Sequence, residues 1–98
     1  MPVVTFNNDD DYRQWREANP DGFILNTGNP PSPSYMVLHR ARCGQTRPGA
    51  YERQPGGSTE RDYFKVCAND VASLRQWIGQ HGATDFSRVC GNCRPPHR

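Results

Sequence analysis

Four cysteines in a chain with few apolar residues set the terms on which it can fold. Cys90-Gly91-Asn92-Cys93 is a C-x-x-C pair, while Cys43 and Cys67 stand alone, 24 residues apart. Only 34% of the 98 residues are hydrophobic, and nine Gly with nine Pro break the chain into many turns. One domain of this size buries only about 60% of the surface its unfolded chain exposes, so a metal or a cross-link is the natural supplement to its core. No run approaches the ~20 apolar residues of a membrane span, and the first residues lack the basic-then-apolar layout of a signal peptide. The expected setting is cytoplasmic, where reducing conditions favour metal ligation over disulfides.

Hydrophobic spacing and breakers divide residues 1–98 as a single domain. VVTF (3–6) is a candidate edge strand. Residues 7–20 read as a helix: Asn8 or Asp9 caps it, acids fill the first turn, Tyr12, Trp15 and Arg16 share a face, and Asn19-Pro20 stops it. Residues 22–26 form a buried strand, and 26–34 a loop in which three prolines and a glycine exclude regular pairing. Residues 35–43 are the clearest strand, with Tyr35, Val37, His39, Ala41 and Cys43 alternating onto one face. A polar loop of 18 residues follows at 44–61, then a strand at 62–67 and a helix at 69–82, capped by Asn69 or Asp70 and closed by Gly82. In the helix Val71, Leu74 and Ile78 make the apolar stripe, with Trp77 beside it. The expected fold is α+β: a small antiparallel sheet of about three strands, two helices, and a cysteine knuckle and tail at 88–98.

Two residues between thiolates let both reach one tetrahedral ion, with Gly91 allowing the tight turn, so zinc held by Cys43, Cys67, Cys90 and Cys93 is the leading reading. Paired as a simple hairpin, strands 35–43 and 62–67 would separate Cys43 from Cys67 by more than ~15 Å at ~3.3 Å per residue. Non-adjacent strands would relieve that, and so would His39 serving in place of Cys43, since the two share a face. Buried Cys43 and Cys67 acting as small hydrophobes is the plainer alternative. A redox pair is disfavoured because Arg94-Pro95-Pro96, not a helix, follows the C-x-x-C. The zinc clasp would pin the tail to the sheet and carry Arg88 and Arg94 to its basic side.

Charge points to a partner. Residues 1–29 hold two Arg against five acids, whereas 30–98 hold ten basic residues against five acids, and eleven of the twelve cations are Arg. Guanidinium suits phosphates and guanine edges, and rings interleaved with cations can stack on bases. The candidate nucleic-acid contacts are Arg40, Arg42, Arg47, Arg53, Arg61 and Lys65 for phosphates and Tyr35, Tyr63 and Trp15 for bases. No phosphate-binding loop, nucleophile elbow or H-E-x-x-H occurs, so a non-catalytic role is expected. The competing class is a zinc-stapled interaction or regulatory adaptor with Trp15 and Trp77 at an interface.

NPDGFILN (19–26), SYMVLHRARC (34–43), YFKVC (63–67), Leu74-x-x-Trp77 and CGNC (90–93) together resemble a small bacterial, actinobacterial-type domain that occurs alone or fused to restriction-type nucleases. The resemblance implies a reader of double-stranded DNA, including DNA carrying 5-methylcytosine, that works with a nuclease attached or separate; a homo-oligomer is a further partner expectation. It implies a methyl group read against an apolar or aromatic wall, in the major groove or after the base is flipped.

Overall fold

The computed structural model describes residues 3–6, 8–46 and 63–96, apart from the side chains of Asn29, Gln45 and Tyr63. In chain order the elements are β1 (Val4–Thr5), α1 (Asp9–Ala18), β2 (Phe23–Ser32), β3 (Tyr35–Arg40), a 3-10 turn (Gly44–Thr46), β4 (Tyr63–Ala68), α2 (Val71–Gln80) and β5 (Arg88–Val89). The fold is α+β. Its sheet has five strands among the described residues, not three, in the order β1-β4-β2-β3-β5. All neighbours are antiparallel except β3 and β5.

Both helices start where the capping residues require. The Asn8 side chain accepts the Asp11 N–H at 2.8 Å, and that of Asp70 accepts the Ser73 N–H at 2.7 Å. Each satisfies an amide the first helical turn leaves without a partner. The bonds to Ser73 hold the Asp70 carboxyl below its usual range. At its other end α2 leads to Gly82, whose φ of +90° is the left-handed conformation that glycine adopts without cost.

Successive strand residues face opposite ways, and the helices divide the two faces between them. Leu74, Trp77 and Ile78 of α2 pack on Leu25, Met36, Leu38, Val66 and Ala68. Tyr12 of α1 packs on Ile24, Ala41 and Cys67 from the other side. Central strands covered on both faces read as apolar runs, which is why Met36 to His39 are all buried.

Two expectations about β2 and β3 change. The strand does not end at Asn26 but runs to Ser32 through Pro30 and Pro31. Its pairing with β3 jumps from Thr27 opposite Met36 to Ser32 opposite Tyr35, so the prolines lie in a bulge where no ladder partner needs their missing N–H. Thr27 Oγ1 accepts the Ser32 N–H at 3.2 Å instead. β3 stops at Arg40, because the chain turns there: the Cys43 N–H donates to the Arg40 carbonyl at 3.0 Å and the Thr46 N–H to that of Cys43 at 3.0 Å.

Gly22, just before the central strand β2, lets Trp15 of α1 approach closely. A Cβ there would lie 2.8 Å from Trp15 Cη2 and 3.1 Å from the Ala68 carbonyl oxygen. Gly22→Ala is expected to destabilise the fold by about 1–3 kcal/mol through overpacking, measured by urea unfolding.

Candidate metal centre

The turn after β3 folds Cys43 back beside His39, and β5 brings Cys90 and Cys93 to the same point. β5 is short, but side-chain and main-chain bonds align it. Ser87 Oγ accepts the Met36 N–H at 2.8 Å, the Ser87 N–H donates to the Met36 carbonyl at 3.0 Å, and the Cys90 N–H to the Leu38 carbonyl at 2.9 Å. The chain then turns through residues 91–93, closed by the Arg94 N–H on the Cys90 carbonyl at 3.0 Å. Gly91 has no special part in this turn: a Cβ there would meet nothing within 4 Å, and the left-handed residue is Arg94, at φ +46°.

One potential ligand atom from each of His39, Cys43, Cys90 and Cys93 falls in a group whose members all lie within 4.8 Å of one another. Cys43 Sγ and Cys90 Sγ are 3.8 Å apart. Tetrahedral zinc with ~2.3 Å bonds to sulfur requires an S–S edge of about 3.75 Å. These four residues can hold a metal ion. His39 and Cys43 therefore do not compete for one position; both belong to the cluster.

The electrostatics suit a cation. His39 Nδ1 is buried without a hydrogen-bond partner. Burial first, and the Lys65 charge second, hold the His39 imidazolium down to about 4, so the ring is neutral at physiological pH, as a metal ligand must be. Burial pushes the Cys93 thiol up to about 12; the Arg40 N–H opposes this, and the Cys43 and Cys90 sulfurs add to it. Burial alone would also raise Cys90, but the backbone amides of Cys93 and Asn92 and the neighbouring thiols bring it below its ordinary value. A bound metal ion would favour the thiolate over the thiol.

Cys67 is not part of this group. It lies in β4 opposite Ile24, whose other neighbour is His39 in β3, so two strand spacings of ~4.8 Å put its Cα about 10 Å from that of His39. Fully buried with Tyr12, Ile24 and Ala41, its thiol is pushed well above the usual range by burial. Cys67→Ala is expected to keep the metal stoichiometry while costing about 1 kcal/mol of stability; metal analysis and thermal melting of the variant check both.

No family model, curated protein or solved structure matches this chain. Among the described residues, no helix is long and apolar enough to cross a membrane.

The expected nucleic-acid contacts scatter. Lys65 is only 3% exposed, its Nζ donating to Asn26 Oδ1 at 2.7 Å and lying 6.0 Å from the Tyr12 ring centroid, so it belongs to the interior beneath α1 and not to a phosphate-binding surface. Trp15 is half-buried against the Tyr12 cluster, and Trp77 is in the α2 core. Arg42 is exposed but bonded to Asp21 and to the Pro20 carbonyl. Arg40 is half-buried against the cysteine turn. Tyr35 is 39% exposed, with its hydroxyl accepting from Asn26 Nδ2 at 3.3 Å. The backbone of Tyr63 pairs with Gly28 in the sheet. Arg47, Arg53 and Arg61 lie outside the described residues. Arg88 and Arg94, which flank the knuckle, are exposed.

Proposed function

We propose that this chain is a non-catalytic DNA-binding domain whose β3 and β5 end is held by a structural zinc ion on His39, Cys43, Cys90 and Cys93. The observation that carries the metal is the convergence of one imidazole and three thiols within 4.8 Å. Three soft sulfurs with one nitrogen select zinc over hard cations, and four protein donors complete the tetrahedron with no position open to water or substrate. Such an ion stabilises; it does not catalyse. The four free thiols suit a reducing, cytoplasmic setting.

The DNA-binding part of the reading is supported by charge and by one exposed ring. The three ion pairs on the described surface take up Arg13, Arg42 and Arg75, while Arg88 and Arg94 beside the clasp have no acid partner among the described residues. Strand alternation sets Tyr35 on the face of β3 that carries His39, and Arg88 pairs with Val37 on that face. A cation for phosphate and a ring for a base then share one face of β3, Arg88 beside Val37 and Tyr35 two residues before it, and Tyr35 is the proposed wall for the methyl of a 5-methylcytosine-type base. The adaptor reading draws less support, because Trp77 is packed inward and Trp15 half-buried, leaving neither available as a full interface anchor.

A gel-shift series with methylated and unmethylated duplex tests the proposal. Tighter binding of the methylated duplex is expected, with affinity falling steeply as salt rises; Arg88→Ala and Arg94→Ala should each reduce the salt slope by about 1. Equal affinity for both duplexes removes the modified-base reading, and absence of binding removes DNA recognition altogether.

A further inference from the structure

The Cys90–Cys93 turn draws three hydrogen bonds from one residue. The Arg40 main-chain N–H donates to Cys93 Sγ at 3.2 Å, its Nε to the Cys93 carbonyl at 2.8 Å, and its Nη2 to the Arg94 carbonyl at 3.2 Å. We propose that Arg40 is the positioning residue of the metal centre, holding the Cys90–Cys93 turn in its ligating conformation before the ion arrives. Given the zinc reading of the site, on which this role rests, Arg40 acts through the ligands and never touches the metal.

Three features make this arrangement more than a surface contact. His39 and Arg40 are consecutive on β3, so ligand and clamp leave the strand on opposite faces. The planar fork of a guanidinium can serve two carbonyl oxygens at once, which a lysine ammonium on its flexible stem does with far less geometric definition. The turn also needs support, because Arg94 adopts a left-handed φ of +46° that a residue with a side chain disfavours. With Arg40 on the Cys93 and Arg94 carbonyls, and the Arg94 N–H on that of Cys90, the turn is bonded at both ends without the ion. A ligand set already in place loses less conformational freedom on binding, so the benefit appears as metal affinity.

Metal-ligand geometry set by neighbours of the ligands typically governs 10- to 100-fold in affinity. Zinc affinity measured by competition with a chromophoric chelator on the full chain tests the role. Arg40→Ala should bind zinc about 10-fold or more weakly, Arg40→Lys should fall between it and the parent, and Arg13→Ala, whose guanidinium pairs with Asp10 on α1, should match the parent. The metal-free melting temperature of Arg40→Ala should stay near that of the metal-free parent, which separates positioning from general support of the fold. Parental affinity in Arg40→Ala overturns the proposal, and so does a loss of affinity in a folded Arg40→Ala whose metal-free melting temperature has fallen in step. Where Arg40→Ala does not fold, parental affinity in Arg40→Lys overturns it. A parent chain that binds no zinc is a different result, removing the zinc reading itself.

Discussion

On the proposed zinc reading, removal of the ion is expected to lower the melting temperature of the protein by about 20 °C. Free zinc at a thousand times its dissociation constant adds about 4 kcal/mol, and each kcal/mol shifts the midpoint of a domain this size by about 4–8 °C. The structural reason is the slender attachment of the C-terminal segment. β5 has two ladder positions, Val37 opposite Arg88 and Leu38 opposite Val89, and beyond them the knuckle is held by the Arg40 bonds and the clasp. Without the ion, the buried His39 Nδ1 has no partner, and burial keeps the Cys93 thiol protonated. Calorimetry with and without a strong chelator measures the effect; an unchanged midpoint in a sample shown to have lost its zinc contradicts it. Cys90→Ser should reproduce the chelated midpoint.

Tyr12→Ala should destabilise the fold by about 3–5 kcal/mol, the range for emptying a fully buried aromatic site. Tyr12 is the central side chain on the α1 face, touching the cluster of Ile24, Ala41 and Cys67 and stacked at a tilt with Phe6 at 6.1 Å. Its hydroxyl donates to the Thr46 carbonyl. That bond extends the effect to the metal centre, because Thr46 closes the turn carrying Cys43 and Arg16 reaches the same turn, with Nε on Thr46 Oγ1 at 2.8 Å and Nη2 on the Cys43 carbonyl at 3.1 Å. Tyr12→Phe keeps the ring and loses only the hydrogen bond, a cost of about 1 kcal/mol. Urea unfolding of both variants beside the parent, all prepared under the same metal conditions, separates the two contributions. Equal losses would mean that the ring contributes nothing beyond its hydroxyl, contrary to the packing described.

Long periodic segments were the legible part of this fold. Both helices lie where capping residues and apolar spacing set them, and the alternation of Tyr35, Val37 and His39 on one face of β3 is as expected. β5 was illegible because Arg88-Val89 is too short for any period, and its alignment comes from the Ser87 hydroxyl and from main-chain bonds. The ligand set was half legible. The C-x-x-C spacing pointed to Cys90 and Cys93, but the choice among His39, Cys43 and Cys67 depended on topology. With β2 inserted between β3 and β4, the latter two run parallel, and Cys67 is placed one strand beyond reach. Cys43 departs from strand alternation because the Arg40 carbonyl captures its N–H and ends β3. Lys65 reads as a surface cation in the sequence, yet it points beneath α1, where Asn26 offers its side-chain oxygen.

X-ray absorption at the zinc edge tests the central claim most directly. The account predicts one zinc per chain with three sulfur neighbours at about 2.3 Å and one nitrogen at about 2.0–2.1 Å, unchanged in Cys67→Ala. A shell of four sulfurs, or a spectrum altered by the loss of Cys67, would contradict it.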